Sequence, residues 1–223
     1  MKKIKTALIS VHDKKNLRQL LKVLSRHKIQ IISSGGTFKE IKKLGYKCLE
    51  ISKYTGSKEI LNGRVKTLHP KIYAGILSVR KNKSHTRDLK KNNFGEIDLV
   101  IVNFYPFEKA LEDMNNHKNI IENIDIGGPT MVRAAAKNFN DVTVITNPNQ
   151  YDNLIEELNS NNSKTTLEFR QQMSEIAFTE TAYYDGIISN YFNFKSKRLF
   201  PKKKVFFGNL IENLRYGENP HQK

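Results

Sequence analysis

Apolar residues recur along this chain in two rhythms. Short unbroken runs, TALISV (6–11), IQIISS (29–34), KCLEIS (47–52), IDLVIVNF (97–104) and DVTVIT (141–146), have the length and β-branched content of buried strands. Between them the spacing changes. Leu17, Leu20, Leu21 and Leu24 repeat at helical intervals and predict a helix over 14–27, with Asp13 as its cap. GGTFKEIKKLG opens a second helix that stops at Gly45. GGPTMVRAAAKNF runs from a glycine turn into a third, with Pro129 early enough that its missing N–H costs little. PNQYDNLIEELN begins a fourth, and the stretch from Thr165 to about Phe194 reads as helical. Residues 53–72 read as loop. Strands alternating with amphipathic helices predict an α/β fold, a parallel sheet covered by helices.

KSKRLFPKKK (195–204) has charge, one proline and no apolar period, and we place a domain edge there. A chain of 223 residues fits one domain with an appendage. No run of about 18 apolar residues exists to span a membrane, and the opening MKKIKTALISVHDKK breaks its apolar stretch too early for a signal peptide, so a cytoplasmic protein is expected. Cys48 is the single cysteine, which excludes a disulfide framework and cysteine-based metal sites. The formal charge of +16 invites a nucleic-acid reading. Its distribution argues against one, because lysines are scattered through nearly every segment and far exceed arginines. Such a field would still favour a small anionic substrate.

In a sheet of this type each strand delivers its following loop to one edge, where ligands bind. Four polar clusters fall there. SVHDKKN carries Ser10, His12, Asp13 and Lys14. SSGGT (33–37) offers Ser33, Ser34 and Thr37 around two glycines at a helix start, an arrangement suited to phosphate, although the Walker spacing is missing. NGRVKTLHP (62–70) concentrates Arg64, Lys66, Thr67 and His69. The fourth joins NFYPF (103–107) to IDIGGPTMVRAAAKN (124–138), where Asp125 precedes a helix start whose N–H groups can face an oxyanion. Lys137 follows a small-residue face that admits either a close helix or a ligand.

SSGGT, GRVKTLHP, NFYPF, DIGGPTMVRAAAKN and the terminal LRYGENPHQ occur here in one order and spacing, and the chain resembles the bifunctional purine-biosynthesis family that carries formyltransferase and inosine monophosphate (IMP) cyclohydrolase activities. The resemblance implies a methylglyoxal-synthase-like three-layer α/β fold with a mainly parallel central sheet flanked by helices. It implies an IMP cyclohydrolase domain over 1–194, a linker over 195–208 and the start of a truncated formyltransferase domain over 209–223, so that formyl transfer is expected to be absent. The implied reaction closes formamidoimidazole-carboxamide ribotide (FAICAR) to IMP with loss of water, without cofactor or metal, in a homodimer that binds a small nucleotide and neither nucleic acid nor membrane. A nucleotide-sensing module and a methylglyoxal-forming lyase of the same fold are the alternatives.

By the same resemblance Ser10, Lys14, Ser34, Gly36, Thr37, Arg64, Thr67, Asn103, Ile126 and Gly127 bind the substrate and its phosphate, and Lys66, Tyr105, Asp125 and Lys137 carry the chemistry. Which of them acts as acid and which as base stays open. The first loop departs from the family's usual Ser-Val-Ser-Asp-Lys-Thr-Gly at His12, Lys15 and Asn16, and His12 is expected to have no catalytic role. Arg215, Tyr216 and His221 resemble positions of the other domain's site and are left out of this one.

Overall fold

The computed structural model describes residues 1–113, 116–198 and 200–212. β1 (Lys2–Lys3) leads into β2 (Thr6–Val11). α1 (Leu17–Arg26) crosses to β3 (Gln30–Ser33), and α2 (Gly35–Lys43) to β4 (Leu49–Glu50). The chain then passes through α3 (Ile51–Thr55), a 3-10 turn at Leu61–Gly63, α4 (Pro70–Leu77) and α5 (Lys83–Lys91) before returning as β5 (Leu99–Asn103). α6 (Phe107–Asp113), α7 (His117–Glu122) and α8 (Gly127–Lys137) precede β6 (Thr143–Ile145). A turn at Pro148–Gln150, α9 (Tyr151–Ser160), β7 (Lys164–Thr165) and α10 (Leu167–Lys195) follow.

Five strands form a wholly parallel sheet in the order β4-β3-β2-β5-β6, and β1 pairs antiparallel with β7 in a separate ribbon. The order matters for function. From β2 the chain winds outward through β3 and β4, then returns to the opposite flank of β2 and winds outward again through β5 and β6. Crossovers on the two halves diverge between β2 and β5, which leaves a crevice beyond the carboxyl ends of those strands. Their register runs from Ala7 opposite Leu99 to Val11 opposite Asn103, so both strands end at one level.

The strands are apolar without alternation because helices cover both faces. Leu8, Ile9, Ile32, Val100, Ile101 and Ile145 are buried in one core with Leu17, Leu20, Leu21 and Leu24 of α1 and Ala135 and Ala136 of α8. The three-layer architecture is therefore the expected one, with differences in detail. KCLEIS makes strand only at Leu49–Glu50, and Ile51 already begins α3. α1 starts later than its leucine spacing suggests: Asn16 takes the left-handed conformation, and the Asp13 carboxylate accepts the Lys15 N–H at 2.9 Å instead of capping the helix. Part of the expected loop 53–72 is helical, and α5 was not anticipated; among its residues only Leu89 is buried. Gly45 lies just past α2 with φ +84°, as expected of a terminating glycine.

The chain divides into two compact units, Met1–Thr181 and Ala182–Lys223, the division falling within α10. Within the second, Phe207 packs edge-on against Tyr183 at 5.1 Å, and Asn209 Nδ2 donates to the Tyr183 hydroxyl. The terminal LRYGENPHQK, with Arg215, Tyr216 and His221, lies outside the described residues, as does most of 209–223. Among the described residues no helix is long and apolar enough to cross a membrane.

Candidate active site

A cleft of about 800 Å³ opens beyond the carboxyl ends of β2, β3 and β5, at the crevice the strand order creates. It gathers twelve of the fourteen residues that the resemblance assigns to the site: Ser10 and Lys14, Ser34, Gly36 and Thr37, Arg64 and Lys66, Asn103 and Tyr105, and Asp125, Ile126 and Gly127. Segments as far apart in sequence as the first and the fourth cluster thus share one space.

The β3–α2 turn presents the start of a helix to this space. Ser34 occupies the N-cap position in extended conformation with its hydroxyl uncommitted to capping, and the first-turn N–H groups of α2 have no acceptor within the helix. The partial positive charge there suits an anion. Thr37 does something else with its side chain. Its buried hydroxyl donates to the Val11 carbonyl at 2.9 Å and accepts the Val11 N–H at 3.0 Å, stitching the turn to the end of β2. Only its main chain is left for a ligand.

Asn103 is likewise occupied. Its Oδ1 accepts the His12 and Asp13 N–H groups at 2.7 and 3.0 Å, and its Nδ2 donates to the Asp13 carbonyl at 3.0 Å. It shapes the loop after β2 rather than facing a substrate with a free amide. Lys14 Nζ donates to the His12 carbonyl at 3.2 Å from an exposed position. His12, a member of the first polar cluster expected to have no catalytic role, lines the cleft and meets the Tyr105 ring edge-on at 4.4 Å. Burial and then the nearby Lys14 hold its imidazole below its ordinary pKa, which favours the neutral form.

Asp125 stands at the mouth of α8. Its Oδ1 accepts the Gly128 N–H at 2.9 Å. Burial pushes the carboxyl above its usual range, opposed in part by the N–H groups of Gly128 and Gly127. A carboxyl so placed can exchange a proton nearer neutrality than an ordinary aspartate. At the two glycines a Cβ would displace a neighbouring side chain. A Cβ on Gly128 would stand 2.3 Å from Asp125 Oδ2, and one on Gly127 would stand 2.6 Å from Thr67 Oγ1. Thr67 is consequently buried beneath the helix start and does not line the cleft. The expected oxyanion donors are also partly engaged, since the Gly127 N–H serves Asp125.

Lys137 is not brought to the cleft. It is the last residue of α8, about 15 Å along the axis from Gly127, and is exposed. The AAA face before it packs helix against core, and Asn138 seals that end by donating to the Ile76 and Ser78 carbonyls at 2.7 and 3.0 Å. His69 also turns out structural, its Nδ1 accepting the Lys71 N–H at the start of α4. Glu122, with Ile121 and Asn123 of the α7 end, lines the cleft without any sequence signal for it.

Residues 16–130 match the family model described as MGS-like domain, and residues 135–223 match that described as AICARFT/IMPCHase bienzyme. The chain is 44% identical over 221 residues to the bifunctional purine biosynthesis protein PurH of Bradyrhizobium diazoefficiens, covering 99% of this chain and 42% of that one. To the protein of the same name from Rippkaea orientalis it is 46% identical, covering 97% and 43%. The chain therefore spans less than half the length of these curated relatives. A solved structure, the crystal structure of ForH, superposes with a TM-score of 0.76 at 29% identity, covering 85% of this chain and 97% of that one.

Proposed function

We infer that this chain, which belongs to the MGS-like domain family, is an IMP cyclohydrolase that closes FAICAR to IMP with loss of water. The observation that carries the reading is the convergence of Lys66, Tyr105 and Asp125 with the anion-suited turn of α2 in one cleft at the strand-order reversal. The match to the AICARFT/IMPCHase bienzyme model and the likeness to PurH proteins support it.

The reaction asks little of bond-making machinery. The carboxamide nitrogen attacks the formyl carbon within one molecule, so the site must hold a productive rotamer. As the C–N bond forms, negative charge grows on the formyl oxygen and a proton leaves the nitrogen. That oxygen takes up protons and departs as water while a second N–H proton is lost. The α2 turn, with Ser34, Gly36 and the Thr37 main chain, binds the phosphate beside Ser10 and Lys14. Lys66, whose ammonium lies beside Gly35 of that turn, supplies positive charge to the phosphate as substrate binds and to the developing oxyanion as the ring closes, and Asp125, with its raised carboxyl, exchanges protons with the reacting nitrogens. Tyr105, backed by His12, forms a wall for the heterocycle. Lys137 has no part in this assignment.

We read residues 1–194 as the cyclohydrolase domain, 195–208 as a linker and 209–223 as the opening of a formyltransferase domain. The enzyme works in the cytoplasm as a homodimer. Added FAICAR should give the absorbance change of IMP formation without folate, and Lys66→Ala should abolish it. Full turnover by Lys66→Ala overturns the assignment.

A further inference from the structure

Two cations of the cleft already have partners. Arg64 Nη2 lies 3.2 Å from Glu122 Oε1, and Lys66 Nζ lies 3.1 Å from Glu59 Oε2. The Lys66 side chain also lies against two glycines. Gly63 takes φ +89°, and a Cβ there would stand 2.6 Å from Lys66 Cε and 2.9 Å from Nζ; one on Gly35 would stand 3.6 Å from Nζ. The ammonium is thus parked against the turn that suits a phosphate, with Glu59 as its counter-ion. Arg64 and Glu122 approach from separate segments, the loop before α4 and the end of α7, and both line the cleft. An incoming dianion meets a carboxylate at each of these two cations.

We propose that Glu59 and Glu122 are resting counter-ions that compete with the phosphate of the nucleotide for Lys66 and Arg64, and so set how tightly the cleft holds substrate and how readily it releases product. The proposal rests on the nucleotide reading of the cleft. Both pairs are solvent-accessible, with side-chain exposures of 65% and 51% for Arg64 and Glu122 and 33% and 60% for Lys66 and Glu59. Exposed pairs are weak, whereas a phosphate offers several oxygens and a second charge. The exchange therefore favours the ligand, at an affinity lower than unpaired cations would give. The carboxylates stay in place to receive the cations when product leaves.

The test is a binding titration of the full chain with IMP, inosine and inorganic phosphate at one ionic strength. Glu59→Gln and Glu122→Gln should each bind IMP about threefold more tightly, and the double variant about tenfold. Inosine, which lacks the phosphate, should bind all forms alike. Glu168→Gln, an exposed change outside the cleft with the same effect on net charge, should bind IMP as the parent does. Unchanged or weaker IMP binding by the Gln variants, with unaltered thermal midpoints, overturns the proposal and assigns the carboxylates to holding the cations in place for the ligand. Inosine tightening as much as IMP overturns it too. A parent chain that binds neither IMP nor phosphate contradicts the nucleotide reading itself, and this proposal with it.

Discussion

Before β2, β5 and β6 begin, the chain buries charge against charge; beyond their carboxyl ends it leaves charge within reach of solvent. At the first edge Asp98 Oδ2 accepts the Lys5 and Thr6 N–H groups at 2.9 and 3.0 Å, with Arg80 Nη2 3.9 Å from its other oxygen. Arg80 donates to the Ile97 carbonyl at 2.8 Å, and its own N–H reaches Asp141, which also pairs with Lys2. Arg170 closes the same edge by donating to the Phe139, Asn140 and Thr165 carbonyls. Hydrogen-bonding capacity there is largely consumed inside the protein, which makes the edge a clamp. At the other edge the α2 turn presents its N–H groups, Asp125 keeps a carboxyl pushed up by burial, and Lys66 and Arg64 pair with exposed carboxylates. Breaking a buried charge pair strands its partner and costs stability. Charge left incompletely satisfied is what a ligand can use.

Substitutions at the two edges should therefore separate stability from activity. After the loss of turnover expected at Lys66→Ala, the largest effect is expected at Asp125→Asn, with FAICAR turnover down roughly 10²- to 10⁴-fold. Its stability should move the other way. A raised carboxyl weakens the fold as pH climbs above the ordinary aspartate value of about 3.9, so the variant should melt higher than the parent at neutral pH and equal to it in acid. A neutral-pH melting point below the parent's would place Asp125 with the clamp. Asp98→Ala comes next. Removing it takes the acceptor from two backbone N–H groups and one counter-ion from Arg80, at a cost of roughly 2–5 kcal/mol in urea unfolding. Per folded molecule, turnover should hold.

Asp141→Asn should cost less, roughly 1–3 kcal/mol at neutral pH. Its pH dependence is the mirror of that at Asp125. Burial pushes the Asp141 carboxyl up, but the Lys2 ammonium and the Arg80 N–H outweigh it and hold the group below its usual range. The stability it contributes is present above about pH 3.9 and lost as pH falls through the lowered value. Melting curves across pH should thus show the gap between parent and Asp141→Asn closing in acid from below, where that for Asp125→Asn closes from above. Parallel gaps at all pH values would erase the distinction between the edges.

The two edges were unequally legible from sequence. The strands announced themselves because both faces of the sheet are covered and each run is apolar throughout, as in Leu99–Val102. α5 did not, since a helix with only Leu89 buried has no apolar period to detect. Cleft residues at strand ends could be read because a parallel sheet sends all its following loops to one side. Their individual roles could not. Thr37 and Asn103 have the right chemistry for a ligand but spend it on the backbone of residues 11–13, and nothing in their neighbours says so. Lys137 sits in the most suggestive stretch of the chain and is carried away from the cleft by the length of α8. Glu122 was invisible because its partner Arg64 lies 58 residues earlier. The clamp, too, is built from side chains reaching carbonyls of distant segments, which leave no motif.

One measurement bears most directly on the claim that the open edge is a cyclohydrolase site. The purified chain is given FAICAR and, separately, dihydroxyacetone phosphate, and products are followed over time. IMP should accumulate from the first without folate, and no methylglyoxal from the second. Methylglyoxal formation, or FAICAR that binds and is never closed, would contradict the account.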